Sequence, residues 1–324
     1  MTRRITYTET ERRRAAAWKA TAPSLPDAAR LPARYVNKDG RERGQEYEFC
    51  LPVEYASLSL LPEVRELALG LFAELDIPWH AGVASGPSNH LLSSQVQCVN
   101  ALGQMVNDPD RLVQAFGPSL GTARVHEIEP GRSLTFEYIG ADDLLNEAVG
   151  GVRRRGTHCT SVDAAFVHTT VEGLRELVLI EWKYTESYSR RKPAPSRDEV
   201  RFKRYGALLS AEDGPVNASL APFDELLQEP LYQLMRQQLL AHELEKQHAH
   251  GAERVRVVHV LPAANEAYQA SLYGQNVRGL GATVKEVWSR LLRLPDRFVQ
   301  LDSAIFLDPQ ITSVDYVDRY GDRS

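Results

Sequence analysis

Between residues 161 and 186 the chain reads S-V-D-A-A-F-V-H-T-T-V-E-G-L-R-E-L-V-L-I-E-W-K-Y-T-E, two apolar runs separated by a turn. The second run, Val178, Leu179, Ile180, is interrupted by Glu181, Trp182 and Lys183. Side chains alternate across a strand, so Glu181 and Lys183 share one face while Ile180 and Trp182 take the other. A carboxylate and an ammonium in such a strand are costly to desolvate. The loop Val171-Glu172-Gly173, with Gly last, suits a type I turn closed by a left-handed glycine. It pairs Thr170 with Leu174 and sets Asp163 opposite Glu181. A two-residue turn at Glu172-Gly173 would instead align Asp163 with Trp182 and separate the carboxylates. Opposed Cβ atoms lie about 5 Å apart. Two carboxylates that close repel unless one is protonated or a cation sits between them. A few hard oxygen ligands with room for water suit Mg²⁺, with Mn²⁺ able to substitute.

Two structural readings compete with catalysis. Glu181 and Lys183 could form a solvated strand face, or a buried ion pair with Asp163 as a bystander. A solvated strand alternates, whereas Val178-Leu179-Ile180 precedes the pair without a break. The ion pair stays open.

Asp163 followed one hairpin later by Glu181-Trp182-Lys183 resembles the PD-(D/E)XK phosphodiesterase superfamily, with Val162 where the signature has proline. The wording R-G-T-H-C-T-S-V-D-A-A-F, V-L-I-E-W-K-Y-T-E-S and S-S-Q-V-Q-C-V-N-A-L is similar to a bacterial branch of restriction-endonuclease-like proteins. The resemblance implies an α/β fold: an αβββαβ core with a mixed central sheet flanked by helices, here with N- and C-terminal extensions. It implies metal-dependent hydrolysis of phosphodiester bonds, of DNA in restriction, defence or repair, leaving 5′-phosphate and 3′-hydroxyl ends. Asp163, Glu181 and the Trp182 carbonyl would hold Mg²⁺, and Lys183 would act on the water or the transition state. A Glu from the helix before the strands often joins the site; Glu147 is the candidate by position and Glu137 the alternative. Gln233 and Gln237, one helical turn apart, correspond to glutamines often found near the site. The same fold without chemistry, as a nucleic-acid-binding or scaffold protein, is the alternative function.

The elements around this stretch follow from periodicity. Residues 62–74, 89–106, 142–149, 229–246 and 284–292 carry helical spacing, and 254–261 alternates as a strand. Runs at 123–128 and 133–139 flank Pro130-Gly131 as a hairpin, with a further strand at 304–307. The expected organisation is an N-terminal extension (1–80), a nuclease-like core (81–265) and a C-terminal helix and strand extension (266–324).

Net charge is −5 over 324 residues, but it is unevenly spread. Residues 152–206 hold twelve Lys/Arg and seven Asp/Glu, a local +5 that leaves −10 for the remainder. Within it Arg190, Arg191, Lys192, Arg201, Lys203 and Arg204 are candidate phosphate contacts. Pro193 and Pro195 suggest a loop there. Three scattered cysteines exclude a disulfide framework or zinc site, and no apolar stretch suits a membrane span or a secretory signal. A cytoplasmic protein acting on nucleic acid is expected, with a homodimer left open. The absence of G-x-x-x-x-G-K-[ST] and of H-R-D/D-F-G motifs discounts phosphoryl transfer by a kinase or NTPase.

Overall fold

The computed structural model describes residues 5–37, 39–148, 150–157 and 159–322. His158 of the R-G-T-H-C-T wording and Val149, the last residue of the helix expected over 142–149, lie outside them. Helix α1 (Tyr7–Thr21) leads to a two-stranded ribbon of β1 (Ala33–Val36) and β2 (Glu42–Tyr47). Helices α2 (Pro62–Glu74), α3 (Ser94–Leu102) and α4 (Pro109–Leu120) precede β3 (Thr122–His126), β4 (Leu134–Tyr138), β5 (Val162–Thr170) and β6 (Arg175–Trp182). Then come α5 (Pro195–Ser210), α6 (Phe223–Leu226), α7 (Leu231–Lys246) and β7 (Arg254–Leu261). The chain closes with α8 (Glu266–Gln269), α9 (Gln275–Leu280), α10 (Val284–Leu291), β8 (Phe298–Asp302) and α11 (Val314–Tyr320). No helix among the described residues is long and apolar enough to cross a membrane.

Six strands form a mixed sheet in the order β3-β5-β6-β7-β8, with β4 also paired to β5. The β5–β6 pair is antiparallel and β6–β7–β8 are parallel. Antiparallel strands can be joined by a tight turn, whereas the parallel step from β6 to β7 needs a crossover, which carries α5 to α7. The fold is therefore α/β with a mixed central sheet flanked by helices. Strands β3 and β4 do not form the expected hairpin. They lie end to end along β5, β3 against residues 167–170 and β4 against 162–166. One isolated bridge, Glu129 to Arg132, closes the Pro130-Gly131 turn.

Both faces of the sheet are covered, which explains the unbroken Val178-Leu179-Ile180 run. Phe166, Val178, Ile180, Trp182, Val258 and Val260 pack with the N-terminal helices and α11. Ala165, Val167, Leu177, Leu179, Val255 and Val257 pack with α7 and α10.

Four local expectations need correction. Helix α3 starts at Ser94 and is capped by Ser93, whose Oγ accepts from Val96 N at 3.3 Å. Asn89 instead ties the ribbon to the body, accepting from Val36 N (3.2 Å) and donating to Arg34 O (2.9 Å) and Leu51 O (2.8 Å). The stretch 142–148 is not helical: Asp143 accepts from Glu147 N (2.8 Å) and Ala148 N (2.9 Å), and Asn146 sits at φ 53°. Helix α5 begins at Pro195, a proline suited to a first helical turn. The last strand is β8, not 304–307; the Asp302 side chain accepts from Ala304 N and turns the chain into a 3₁₀ segment.

Candidate active site

The β5–β6 turn sets the register. Thr170 N donates to Leu174 O and Gly173 N to Thr170 O, both at 2.9 Å, with Gly173 at φ 88°. Ala164 then opposes Ile180, so the next step outward places Asp163 opposite Glu181. The Asp163 carboxylate turns onto the neighbouring backbone, where Oδ2 accepts from Trp182 N at 2.6 Å. Trp182 lies on the other face, its indole N–H donating to Gln97 Oε1 at 3.0 Å. Lys183 extends the parallel ladder by one residue, its N–H donating to Val260 O at 2.8 Å.

A third carboxylate arrives from β4. Phe136 opposes Ala164 and Tyr138 opposes Val162, which puts Glu137 beside Asp163. Glu137 has φ 47°, left-handed for a non-glycine residue, at a cost of about 1–2 kcal/mol. Its carboxylate accepts from Ser161 Oγ (2.7 Å) and Gln95 Nε2 (3.1 Å). Gln95 in turn accepts from His80 N at 2.7 Å. Sequence reasoning ranked Glu137 second and gave Gln95 no role. Glu147, ranked first, accepts from the Thr160 N–H and hydroxyl and from the Tyr205 hydroxyl, with Arg236 4.0 Å away.

Helix α7 supplies the lid. Lys183 Nζ donates to Glu181 Oε1 and, at 2.8 Å, to Gln233 Oε1. Gln237 Nε2 donates to Glu181 Oε2, while Gln237 Oε1 is buried with no hydrogen-bond partner among the described residues. His259, opposite Glu181 on β7, was not singled out from sequence, where it is one polar residue in R-V-R-V-V-H-V-L. Burial, with Lys183 adding to it, pushes His259 down to about 3, so the ring is neutral. It lies 3.1 Å from the Tyr268 hydroxyl.

The electrostatics are lopsided. Burial raises the Asp163 carboxyl well above the usual range, and the charges on Glu181 and Glu137 raise it further, against Lys183 and the Trp182 N–H. Burial likewise raises Glu137, with Glu181 adding to it, against hydrogen bonds from Ser161 and Gln95. For Lys183 burial disfavours the ammonium, but Glu181, with Tyr188, Tyr268 and Glu186 adding to it, outweighs burial and holds the pKa well above an ordinary lysine.

The basic residues are less free than their spacing suggested. Arg191 and Arg201 both pair with Asp198, at 3.0 and 3.2 Å, and Lys203 pairs with Glu199 at 2.7 Å. Arg201 and Arg236 stack on the Tyr232 ring (4.5 and 4.8 Å to its centroid), and Arg204 lies 6.0 Å from that of Tyr205. Arg153 and Arg155 are held by backbone carbonyls of the β4 region. Arg190 and Lys192 remain exposed.

Glu137, Asp163 and Glu181 are hard oxygen donors of the kind Mg²⁺ takes, outnumbering the single ammonium of Lys183 beside them. Among the described residues no group of three or more His, Cys, Asp or Glu side chains closes around one point.

A mixed sheet with a broken first strand, an antiparallel pair and a parallel fourth strand reached by a helical crossover is restriction-endonuclease-like. Residues 12–321 match the family described as Restriction Endonuclease associating with ARP, and the chain belongs to it. No curated protein and no solved structure matches the chain.

Proposed function

We propose that the protein is a Mg²⁺-dependent nuclease that hydrolyses phosphodiester bonds of DNA. The observation that carries this is the strand register that sets Glu137, Asp163 and Glu181 side by side near Lys183, with Asp163 and Glu137 held above the usual carboxyl range. Carboxylates gathered without matching cations lower the cost of binding an external one. Asp163, Glu181 and the Trp182 carbonyl would hold the ion, with Glu137 a further ligand. When bound, Mg²⁺ polarises a phosphate and makes a water more acidic. Lys183 keeps its proton and offsets charge on the phosphate in the transition state, so its role is that of a charge partner rather than a base. Gln233 orients the ammonium and Gln237 orients Glu181. Arg190 and Lys192, with the Arg201–Tyr232–Arg236 stack, meet the DNA backbone.

One observation favours the second reading, a binder or scaffold without chemistry: both Glu181 oxygens already have partners inside the protein. Incubation with plasmid, linear and single-stranded DNA in Mg²⁺ or Mn²⁺ separates the two. Cleavage that stops in EDTA and in Glu181→Gln supports the nuclease; tight DNA binding with no cut product in either metal supports the binder.

A further inference from the structure

A cavity of about 200 Å³ lies between the segment that follows Lys183 and Tyr35 of the β1–β2 ribbon. Its inner wall is Thr185 and Glu186, two and three residues beyond Lys183, and Ser94, the neighbour of the Gln95 that holds Glu137. Its outer wall is Tyr35 on β1, His90 and Ser88. A cavity of about 150 Å³ already accommodates a benzene ring, so this one has room for a single heterocycle.

The walls are built for a flat, polar ligand. His90 stands edge-on to both Tyr35 (5.3 Å between centroids, 77°) and Phe49 (5.2 Å, 78°), which fixes the ring. Its Nδ1 accepts from Leu92 N at 3.3 Å, so the ring proton is on Nε2. Glu186 Oε2 accepts from Tyr184 N at 2.6 Å, and Oε1 has no hydrogen-bond partner among the described residues. The loop entering the cavity holds Ala81, Ala84 and Ser85 at φ 50°, 48° and 64°. Such backbone costs on the order of 1–3 kcal/mol per residue and tends to persist where a ligand site needs it.

We propose that this cavity is a base-binding subsite that takes one unstacked nucleobase bearing an amino group. Tyr35 and His90 cover the base, Glu186 Oε1 accepts from its amino N–H, and Ser88, Ser94 and Thr185 serve its remaining edge. The assignment rests on the proposed nuclease only for its substrate, since the cavity-lining His80 is joined to Glu137 through Gln95. Its consequence is a substrate strand that is single or locally unpaired next to the scissile phosphate.

The test uses the full chain in EDTA, titrated calorimetrically with each of the four deoxynucleoside 5′-monophosphates. dGMP, dCMP and dAMP should bind more tightly than dTMP, which has no amino group. Tyr35→Ala should weaken them by on the order of tenfold or more, as loss of a base–aromatic stack does, whereas Tyr35→Phe should not. Glu186→Gln should shrink the gap between dCMP and dTMP, and this carries the test if Tyr35→Ala does not fold. No binding at millimolar nucleotide, binding insensitive to Tyr35→Ala, or an unchanged gap in Glu186→Gln overturns the subsite. DNA cleavage without nucleotide binding would sink the subsite alone; Tyr35-dependent binding without cleavage in Mg²⁺ or Mn²⁺ would sink the nuclease alone.

Discussion

Lys183→Met tests the site most directly, because three consequences of different sign follow from one substitution. Lys183 Nζ bonds Glu181 and Gln233, and its charge opposes those on Asp163 and Glu137. Cleavage should fall on the order of 10²–10³-fold, as for loss of one preorganised transition-state partner. DNA affinity should change little, with the salt slope reduced by about 1 at most. Removing a buried ammonium by itself would favour folding, but here it strands a Glu181 carboxylate, and breaking one partner from a buried pair costs roughly 3–5 kcal/mol. That corresponds to a drop in Tm of roughly 5–10 °C. The loss must depend on pH. The Asp163 and Glu137 carboxyls are already raised in the folded chain. Their contribution is therefore most favourable below the ordinary carboxyl range and is lost as pH climbs through the folded values. Without Lys183 the folded values rise further, so the Tm gap in EDTA should be small near pH 4 and widen towards pH 8. Saturating Mg²⁺ or Ca²⁺ should narrow it. A variant that cuts as fast as the parent, or a gap flat between pH 4 and 8, would refute the reasoning.

Other outcomes follow from the same geometry. Asp163→Asn keeps an acceptor for Trp182 N but removes a penalised charge, so in EDTA at pH 8 it should melt above the parent while losing cleavage; melting at or below the parent would mean the carboxylate is not under strain. Glu137→Gln should lower metal affinity or activity on the order of 10–100-fold, measured by Mg²⁺ titration of cleavage; an unchanged half-saturation point would remove Glu137 from the site. Alanine at Arg190 and Lys192 together should flatten the salt dependence of DNA binding, whereas alanine at Arg191, already paired with Asp198, should change the slope much less. Glu176→Ala should cost roughly 3–5 kcal/mol in denaturant unfolding, yet leave the cleavage rate of the folded fraction intact.

What the sequence made legible tracks how local the determining interactions are. The β5–β6 register was readable because three loop residues ending in Gly173 set it, and the Glu181-Trp182-Lys183 alternation followed from the pleat. Helix α7 was readable because its apolar spacing runs over several turns, whereas Gln233 and Gln237 were pointed at the site by the resemblance and not by that spacing. The placement of Glu137 beside Asp163 was not readable. Twenty-three residues separate β4 from β5 (139–161), so no turn fixes Glu137 against Asp163, and its left-handed backbone breaks strand periodicity. Glu147 drew attention because 142–149 has helical composition, but the Asp143 side chain captures the two amides a helix would need. The same competition misplaced the last strand, which Asp302 ends, and the start of α3, which Ser93 caps, five residues after the expected start at 89.

The two ends of β6 make an internal comparison that bears on function. Glu176 near its start is fully buried, yet Arg254 reaches it at 2.6 Å and Arg256 at 3.0 Å from the neighbouring strand. Burial works against that charge, but His168, Arg256 and Arg254 outweigh it and hold the carboxyl below its usual range. Its stability contribution is therefore present above the ordinary Glu range and fades as pH falls. The sheet can thus neutralise a buried carboxylate with its own cations. At the other end it brings carboxylates from β4, β5 and β6 together, provides one ammonium, and leaves Asp163 and Glu137 raised. A purely structural cluster would be expected to resemble Glu176, since each unbalanced charge destabilises the chain that carries it. An excess of carboxylate and a left-handed Glu137 in the same neighbourhood are costs that a bound cation and a phosphate would offset. That imbalance, more than the Glu181-Trp182-Lys183 spelling, is the physical argument for chemistry at this end of the sheet.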